Sequence, residues 1–189
     1  MLFRSMVGTP CQIKAVRKIE AMSIVPSDSI RYCLGLFCSG NFIFDEAAQK
    51  RLAAAGDFRW EDVETINIKD TFIVKLNTGE TKTIPLNQLD FMKRYACRYC
   101  PDYASEYADI SFGGLGAQEG WTTVIARTPE GRAIYHDAQG KTLEVFDFKP
   151  KPDYPAQIQT KVRNASTGKK RYSENMHDEL VKSRAESTS

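Results

Sequence analysis

Five cysteines, at positions 11, 33, 38, 97 and 100, are the side chains of this sequence best able to carry chemistry. Cys97 and Cys100 are two residues apart in the counting that places two others between them, the spacing that lets both sulfurs of one loop face a single metal centre. A thioredoxin-like redox pair shares that spacing but opens a helix after a strand, whereas Pro101-Asp102 follows the second cysteine here. Cys11 comes directly after Gly8-Thr9-Pro10, where Thr9 suits an N-cap and Pro10 the first helical position. Its sulfur therefore falls in a first turn, whose free N–H groups and dipole favour a thiolate. Cys38 closes an apolar, β-prone run from Ile30 and precedes the turn Ser39-Gly40-Asn41. Thiols at the ends of such elements can converge on one centre. Ligation drawn from three separate segments is unlike the two close pairs of a zinc ribbon, although a four-cysteine zinc site in a non-catalytic binding module is the alternative use of the same sulfurs. Cys33 lies five residues before Cys38, a step that reverses the face of a strand, and reads as a buried apolar thiol.

These thiols need elements to hold them. Ile13, Val16 and Ile19 recur at helical spacing after Pro10, and Phe42 to Ala55, closed by Gly56, forms a second helical pattern. Val63–Ile68, Phe72–Leu76 and Thr81–Leu86 read as short strands, the last two joined through Asn77-Thr78-Gly79. A short helix over Leu89 and Phe91–Tyr95 is expected to deliver the Cys97–Cys100 loop. Ala108–Ser111 reads as a strand opening into Gly113-Gly114-Leu115-Gly116, and Trp121–Arg127 as the next strand. The glycine run lacks the Gly-x-Gly-x-x-Gly spacing of a dinucleotide fingerprint. The pattern predicts an α/β fold, a mixed sheet with flanking helices, in one domain over residues 1–148. Residues 149–189, rich in Lys, Pro, Ser and Glu, are expected to be a loosely packed or disordered tail. Only Met6-Val7 and a poor Leu2-Phe3 stand where a full strand should lead into Gly8, so the chain reads as the amino-terminally truncated copy of a longer protein.

The 189 residues, 42% of them hydrophobic, suffice for a buried core, and 26 basic against 24 acidic residues leave no electrostatic footprint for nucleic acid. No apolar run nears the roughly 20 residues that cross a bilayer, and Arg4 and Ser5 interrupt any secretory leader. The cytoplasm is the expected compartment. His136 and His177 have no Ser or Cys partner in a recognisable arrangement and read as surface residues. Lys93 and Arg94 are candidates for an anionic ligand, or simply a solvated helix face.

Gly8-Thr9-Pro10-Cys11-Gln12, Gly35-Leu36-Phe37-Cys38-Ser39-Gly40-Asn41, Cys97-Arg98-Tyr99-Cys100-Pro101-Asp102, Ala108-Asp109-Ile110-Ser111 and Gly120-Trp121-Thr122-Thr123-Val124 stand in an order that resembles the beta subunit family of coenzyme F420-reducing hydrogenase and formate dehydrogenase. The resemblance extends over residues 7–148. It implies an oxidoreductase that passes electrons between a [4Fe–4S] cluster, FAD and a hydride carrier such as coenzyme F420, or ferredoxin, beside a partner subunit such as a hydrogenase or formate dehydrogenase. It also implies that Cys11, Cys38, Cys97 and Cys100 hold the cluster and that Gly8, Thr9, Pro10, Ser111, Gly113, Gly114, Gly116, Gly120, Trp121 and Thr122 cradle the flavin. No general acid or base is implied, because flavin mediates between hydride and single-electron chemistry.

Overall fold

A computed structural model describes residues 4–25, 29–68 and 71–187. The mixed α/β architecture with flanking helices is as expected, but the span read as one core divides into two compact units: residues up to 39 with those from 99 onward, and Gly40–Arg98. The chain passes from one to the other one residue after Cys38 and returns between Cys97 and Cys100.

The first unit is built on a four-stranded sheet. Strand β1 (Ser5–Gly8) runs parallel to β2 (Tyr32–Leu36), which runs parallel to β6 (Ile110–Gly113); β7 (Thr123–Ala126) is antiparallel to β6 and completes the order β1-β2-β6-β7. The short amino-terminal stretch thus forms a four-residue strand, because its register with Tyr32–Gly35 satisfies backbone groups that its sequence alone would not commit. Helix α1 (Pro10–Ala21) follows β1 with Thr9 in extended geometry as N-cap, and buries Ile13 against Cys33 and Ala108. Central strand β2 must lie very close to the loop before β6. A Cβ on Gly35 would stand 2.1 Å from Ser105 Oγ and 2.8 Å from Ala108 Cβ. Gly35→Ala is accordingly expected to cost about 2 kcal/mol through overpacking, measured as a lower urea midpoint at unchanged slope; an unchanged midpoint would show that Ser105 moves aside freely.

Asp109, just ahead of β6, is the polar centre of this unit. Its Oδ2 accepts from Arg17 Nη2 of α1 at 2.8 Å and from the Cys33 N–H at 2.7 Å, and its Oδ1 accepts from Thr128 Oγ1 at 2.9 Å. Thr128 in turn caps helix α4 (Pro129–Ala138) by accepting from the Gly131 N–H at 3.0 Å. A side chain on Gly131 would meet the Asp109 carbonyl oxygen at 2.2 Å, so α4 can approach only through glycine. One buried carboxylate thereby joins α1, β2, β6 and α4.

The second unit packs an antiparallel sheet, β3 (Val63–Ile68), β4 (Thr71–Leu76) and β5 (Thr81–Pro85), against helix α2 (Glu46–Gly56). Alternation along β4 turns Phe72, Val74 and Leu76 inward to meet Ala48, Leu52, Ile84, Leu89 and Met92. Asp45 caps α2 by accepting from the Ala48 N–H at 2.8 Å. The expected helix over Leu89–Tyr95 is instead a 3₁₀ turn at Leu86–Leu89 and a single helical turn, α3 (Tyr95–Arg98), that contains Cys97.

The segment after Pro150 is a 33-residue helix, α5 (Tyr154–Glu186), in which only Val162 and Ser173 are buried. Local helix propensity, with Pro155 in the first turn, orders a stretch whose few apolar anchors suggested a tail. Among the described residues no helix is long and apolar enough to cross a membrane.

Candidate functional site

None of the five cysteines is in a disulfide. Cys33 is fully buried on β2, and burial pushes its thiol above the ordinary range, which disfavours the thiolate. The other four stand at element ends. Cys11 is exposed in the first turn of α1, with Thr9 Oγ1 at 3.2 Å from its sulfur. Cys38 is half-buried beyond the end of β2, and its N–H donates to the Tyr103 carbonyl at 2.9 Å. Cys100 is half-buried with its sulfur 3.7 Å from the Asp102 carbonyl oxygen. Lys169 of α5 donates to the carbonyl oxygens of both Cys38, at 2.6 Å, and Asp102, at 2.8 Å. The Cys38 and Cys100 loops are therefore tied to each other. Cys97 belongs to the second unit, where its sulfur accepts from the Asn41 N–H at 3.3 Å. A Cβ added at Gly40 would lie 3.7 Å from Cys97 Cβ, an ordinary contact distance, and 3.1 Å from Lys93 Cε.

Among the described residues, no three His, Cys, Asp or Glu side chains are grouped to hold a metal ion. The structure brings the Cys38 and Cys100 loops together and does not gather the four sulfurs. The donor set nonetheless fits a thiolate-held group in kind: four thiols outside any disulfide, none deeply buried, with a backbone N–H already directed at the Cys97 sulfur.

The residues implied for flavin separate into two sets. Gly8-Thr9-Pro10 serves the helix start itself. The Thr9 N–H donates to Gln12 Oε1 at 2.9 Å, the Gln12 N–H returns to the Thr9 carbonyl at 3.0 Å, and Pro10 has no N–H to offer. Ser111 is fully buried and its Oγ accepts from Arg127 Nη2 at 3.3 Å. Gly113 makes room for the Phe37 ring, which an added Cβ would meet at 2.1 Å, and Gly116 lies 3.1 Å by the same measure from Ile158. These positions are explained by packing. Gly114 and Gly120 have nothing within 4 Å of an added Cβ.

Gly120, Trp121 and Thr122 line a groove of about 1260 Å³ in the first unit, between β7, the segment around Phe146 and the start of α5. Trp121 meets Phe146 edge-on at 5.1 Å, and Phe146 stands 5.6 Å from the Tyr154 ring. The loop carrying the glycines is fastened where Tyr154 Oη donates to the Gly116 carbonyl at 2.8 Å and Thr123 Oγ1 to the Leu115 carbonyl at 2.9 Å. Arg127 and Arg163 share the wall with Glu106 and Glu144, so its charges balance, and aromatic and aliphatic side chains supply most of the rest. A site so built accepts a flat aromatic ligand. Sequence reading overlooked the far wall; Tyr154, Ile158 and Val162 at four-residue spacing were its signal. His136 and His177 are exposed, as expected.

Residues 5–151 match the family described as coenzyme F420 hydrogenase/dehydrogenase, carboxy terminus of the beta subunit. The chain belongs to that family. It is 34% identical over 151 residues to the coenzyme F420 hydrogenase subunit beta of Methanococcus voltae, covering 76% of this chain and 53% of the relative. It is 31% identical to the F420-dependent formate dehydrogenase subunit beta of Methanocaldococcus jannaschii, covering 69% of this chain and 35% of that one. A chain of the F420-reducing [NiFe] hydrogenase complex from Methanosarcina barkeri superposes with a TM-score of 0.73 at 27% identity, covering 92% of this chain and 60% of the other. The chain spans about half the length of the F420 hydrogenase beta subunits it matches.

Proposed function

We propose that this chain is the electron-transferring part of an F420-linked oxidoreductase, with FAD in the Trp121 groove and a [4Fe–4S] cluster held by Cys11, Cys38, Cys97 and Cys100. The observation that carries the proposal is the aromatic groove, walled by the family's Gly120-Trp121-Thr122 block, in the same unit as Cys11, Cys38 and Cys100. Bound flavin would supply the exchange between two-electron and one-electron chemistry. The chain's own share is to hold the ring against Trp121 and Phe146 and to shield it from water with the aromatic side of the groove. The relatives' names support a hydrogenase or formate dehydrogenase partner and coenzyme F420 as the hydride carrier.

Anaerobic purification in the presence of FAD tests this. About four irons with matching sulfide, a broad thiolate-to-iron absorption and one flavin per chain are expected. A colourless protein with one zinc would establish the binding-module alternative instead. Trp121→Ala is expected to weaken FAD binding about tenfold, or roughly 1.4 kcal/mol, by removing a stacking surface. Flavin fluorescence titration reads this directly; unchanged affinity with lowered thermal stability would assign Trp121 to packing alone.

A further inference from the structure

Helix α5 starts at Tyr154, beyond the last residue matched to the family. Its grip on the cysteine loops lies outside the residues that the family model matches, although the hydrogenase chain superposes over 92% of this chain. Lys169, Ser173 and His177 follow at four-residue spacing and so share one helix face. Each of the three is engaged: Ser173 is buried, the His177 ring lies 5.0 Å from that of Tyr99, between Cys97 and Cys100 in sequence, and the Lys169 ammonium bridges the carbonyls of Cys38 and Asp102.

An ammonium that ties two loops through backbone carbonyls fixes main chain, and main chain sets the direction of the Cβ–Sγ bonds. Charge-assisted bonds of this type are roughly twice as strong as neutral ones. We propose that Lys169 is a positioning residue for Cys38 and Cys100, locking their loops into one arrangement and placing a positive charge beside them, so that α5 is part of the thiolate site. The purpose of the clamp rests on the proposed cluster; its geometry does not. A fixed cation at that place favours thiolate ligands and the more negative charge of a reduced cluster.

The test compares the full-length wild-type chain with Lys169→Met, which keeps the stem and removes the donors, Lys169→Arg, which keeps charge and donors, and Lys170→Met as a neighbouring control. Iodoacetamide labelling of the cofactor-free proteins is followed at each cysteine by mass spectrometry. Lys169→Met is expected to label Cys38 and Cys100 about fivefold faster, because release of the local constraint outweighs the smaller thiolate fraction left by the lost charge, with Cys11 and Cys33 unchanged and Lys169→Arg near wild type. Equal rates in wild type and Lys169→Met, or the same acceleration from Lys170→Met, would overturn the proposal. Should Lys169→Met lose the helix by circular dichroism, Lys169→Gln takes its place under the same criteria. After anaerobic reconstitution with ferrous iron and sulfide, Lys169→Met should titrate at a more negative midpoint potential than wild type and Lys169→Arg should not. A wild-type chain that takes up no iron overturns the proposed function, while the labelling rates still decide the clamp.

Discussion

Cys97→Ser is expected to bring iron and sulfide in the anaerobically reconstituted protein down to background, while Cys33→Ala retains the wild-type content. The contrast follows from where the two sulfurs lie. Cys97 is half-buried in a single-turn helix, with a backbone N–H directed at its sulfur. Such an N–H stabilises thiolate charge and lowers the cost of ligation. Cys33 is enclosed by Ile13 and Ala108 in the core of the other unit, where burial favours the neutral thiol. Removing its sulfur leaves a small cavity and a modest stability loss of about 1 kcal/mol. Metal analysis and the visible spectrum decide the matter. Full iron content in Cys97→Ser, or its loss in Cys33→Ala, would require a different set of ligands.

Asp109→Ala should lower the unfolding free energy by about 3 kcal/mol, at the low end of the range for removing one partner of a buried ion pair because Arg17 keeps part of its hydration. The change removes the acceptor of Arg17 Nη2, the Cys33 N–H and the Thr128 hydroxyl together, on three different elements, while Arg17 keeps Glu20 through Nη1 at 2.8 Å and the Tyr107 carbonyl through Nε at 3.1 Å. Asp109→Asn preserves shape and should cost less, about 2 kcal/mol, since one acceptor oxygen and the charge are lost. Urea unfolding at constant slope provides the measurement. A loss below about 0.5 kcal/mol for the alanine variant, an ordinary surface-mutation value, would mean that water or a rearranged Glu20 replaces the carboxylate. This variant also separates fold from chemistry, because Asp109 is proposed to touch neither flavin nor cluster.

The strands β2 to β7 were legible because alternation and turn residues are local signals, and α1 because Thr9-Pro10 marks its start without any tertiary help. Strand β1 was scarcely legible: Ser5–Gly8 is short and half polar, and only pairing with β2 makes it a strand. Helix α4 carries its own start signal in Thr128-Pro129-Glu130, yet it is short and mostly exposed, so no apolar stripe announces it. The division into two units was hidden for another reason. The second unit is inserted within the first, and composition does not change at residues 39–40 or 98–99.

The proposed ligand thiols stand out in the sequence, whereas the contacts that support their loops do not. Position along the element distinguished Cys33 from the other thiols: it lies inside β2, where Tyr32, Cys33 and Gly35 are all buried, whereas Cys38 lies beyond the strand end. The glycines were harder. Gly113 and Gly116 look like phosphate-cradle residues in sequence, but an aromatic ring and an isoleucine occupy the space they leave. Nothing in a linear string distinguishes a glycine that admits a neighbour from one that admits a ligand. Lys169 was invisible for a similar reason, being a lysine in a charged helix until its two carbonyl acceptors are known.

The sparse anchoring of α5 also predicts how this helix breathes. Val162, Lys169 and Ser173 tie its first two thirds, whereas the stretch after His177 presents exposed side chains such as Val181 to solvent. Backbone amides should then exchange with deuterium in a gradient, slowest near Val162 and fastest toward Glu186, because opening the sparsely anchored distal turns breaks few packing contacts. A ligand or protein that settles on the distal turns would flatten that gradient, making the helix an internal gauge of association.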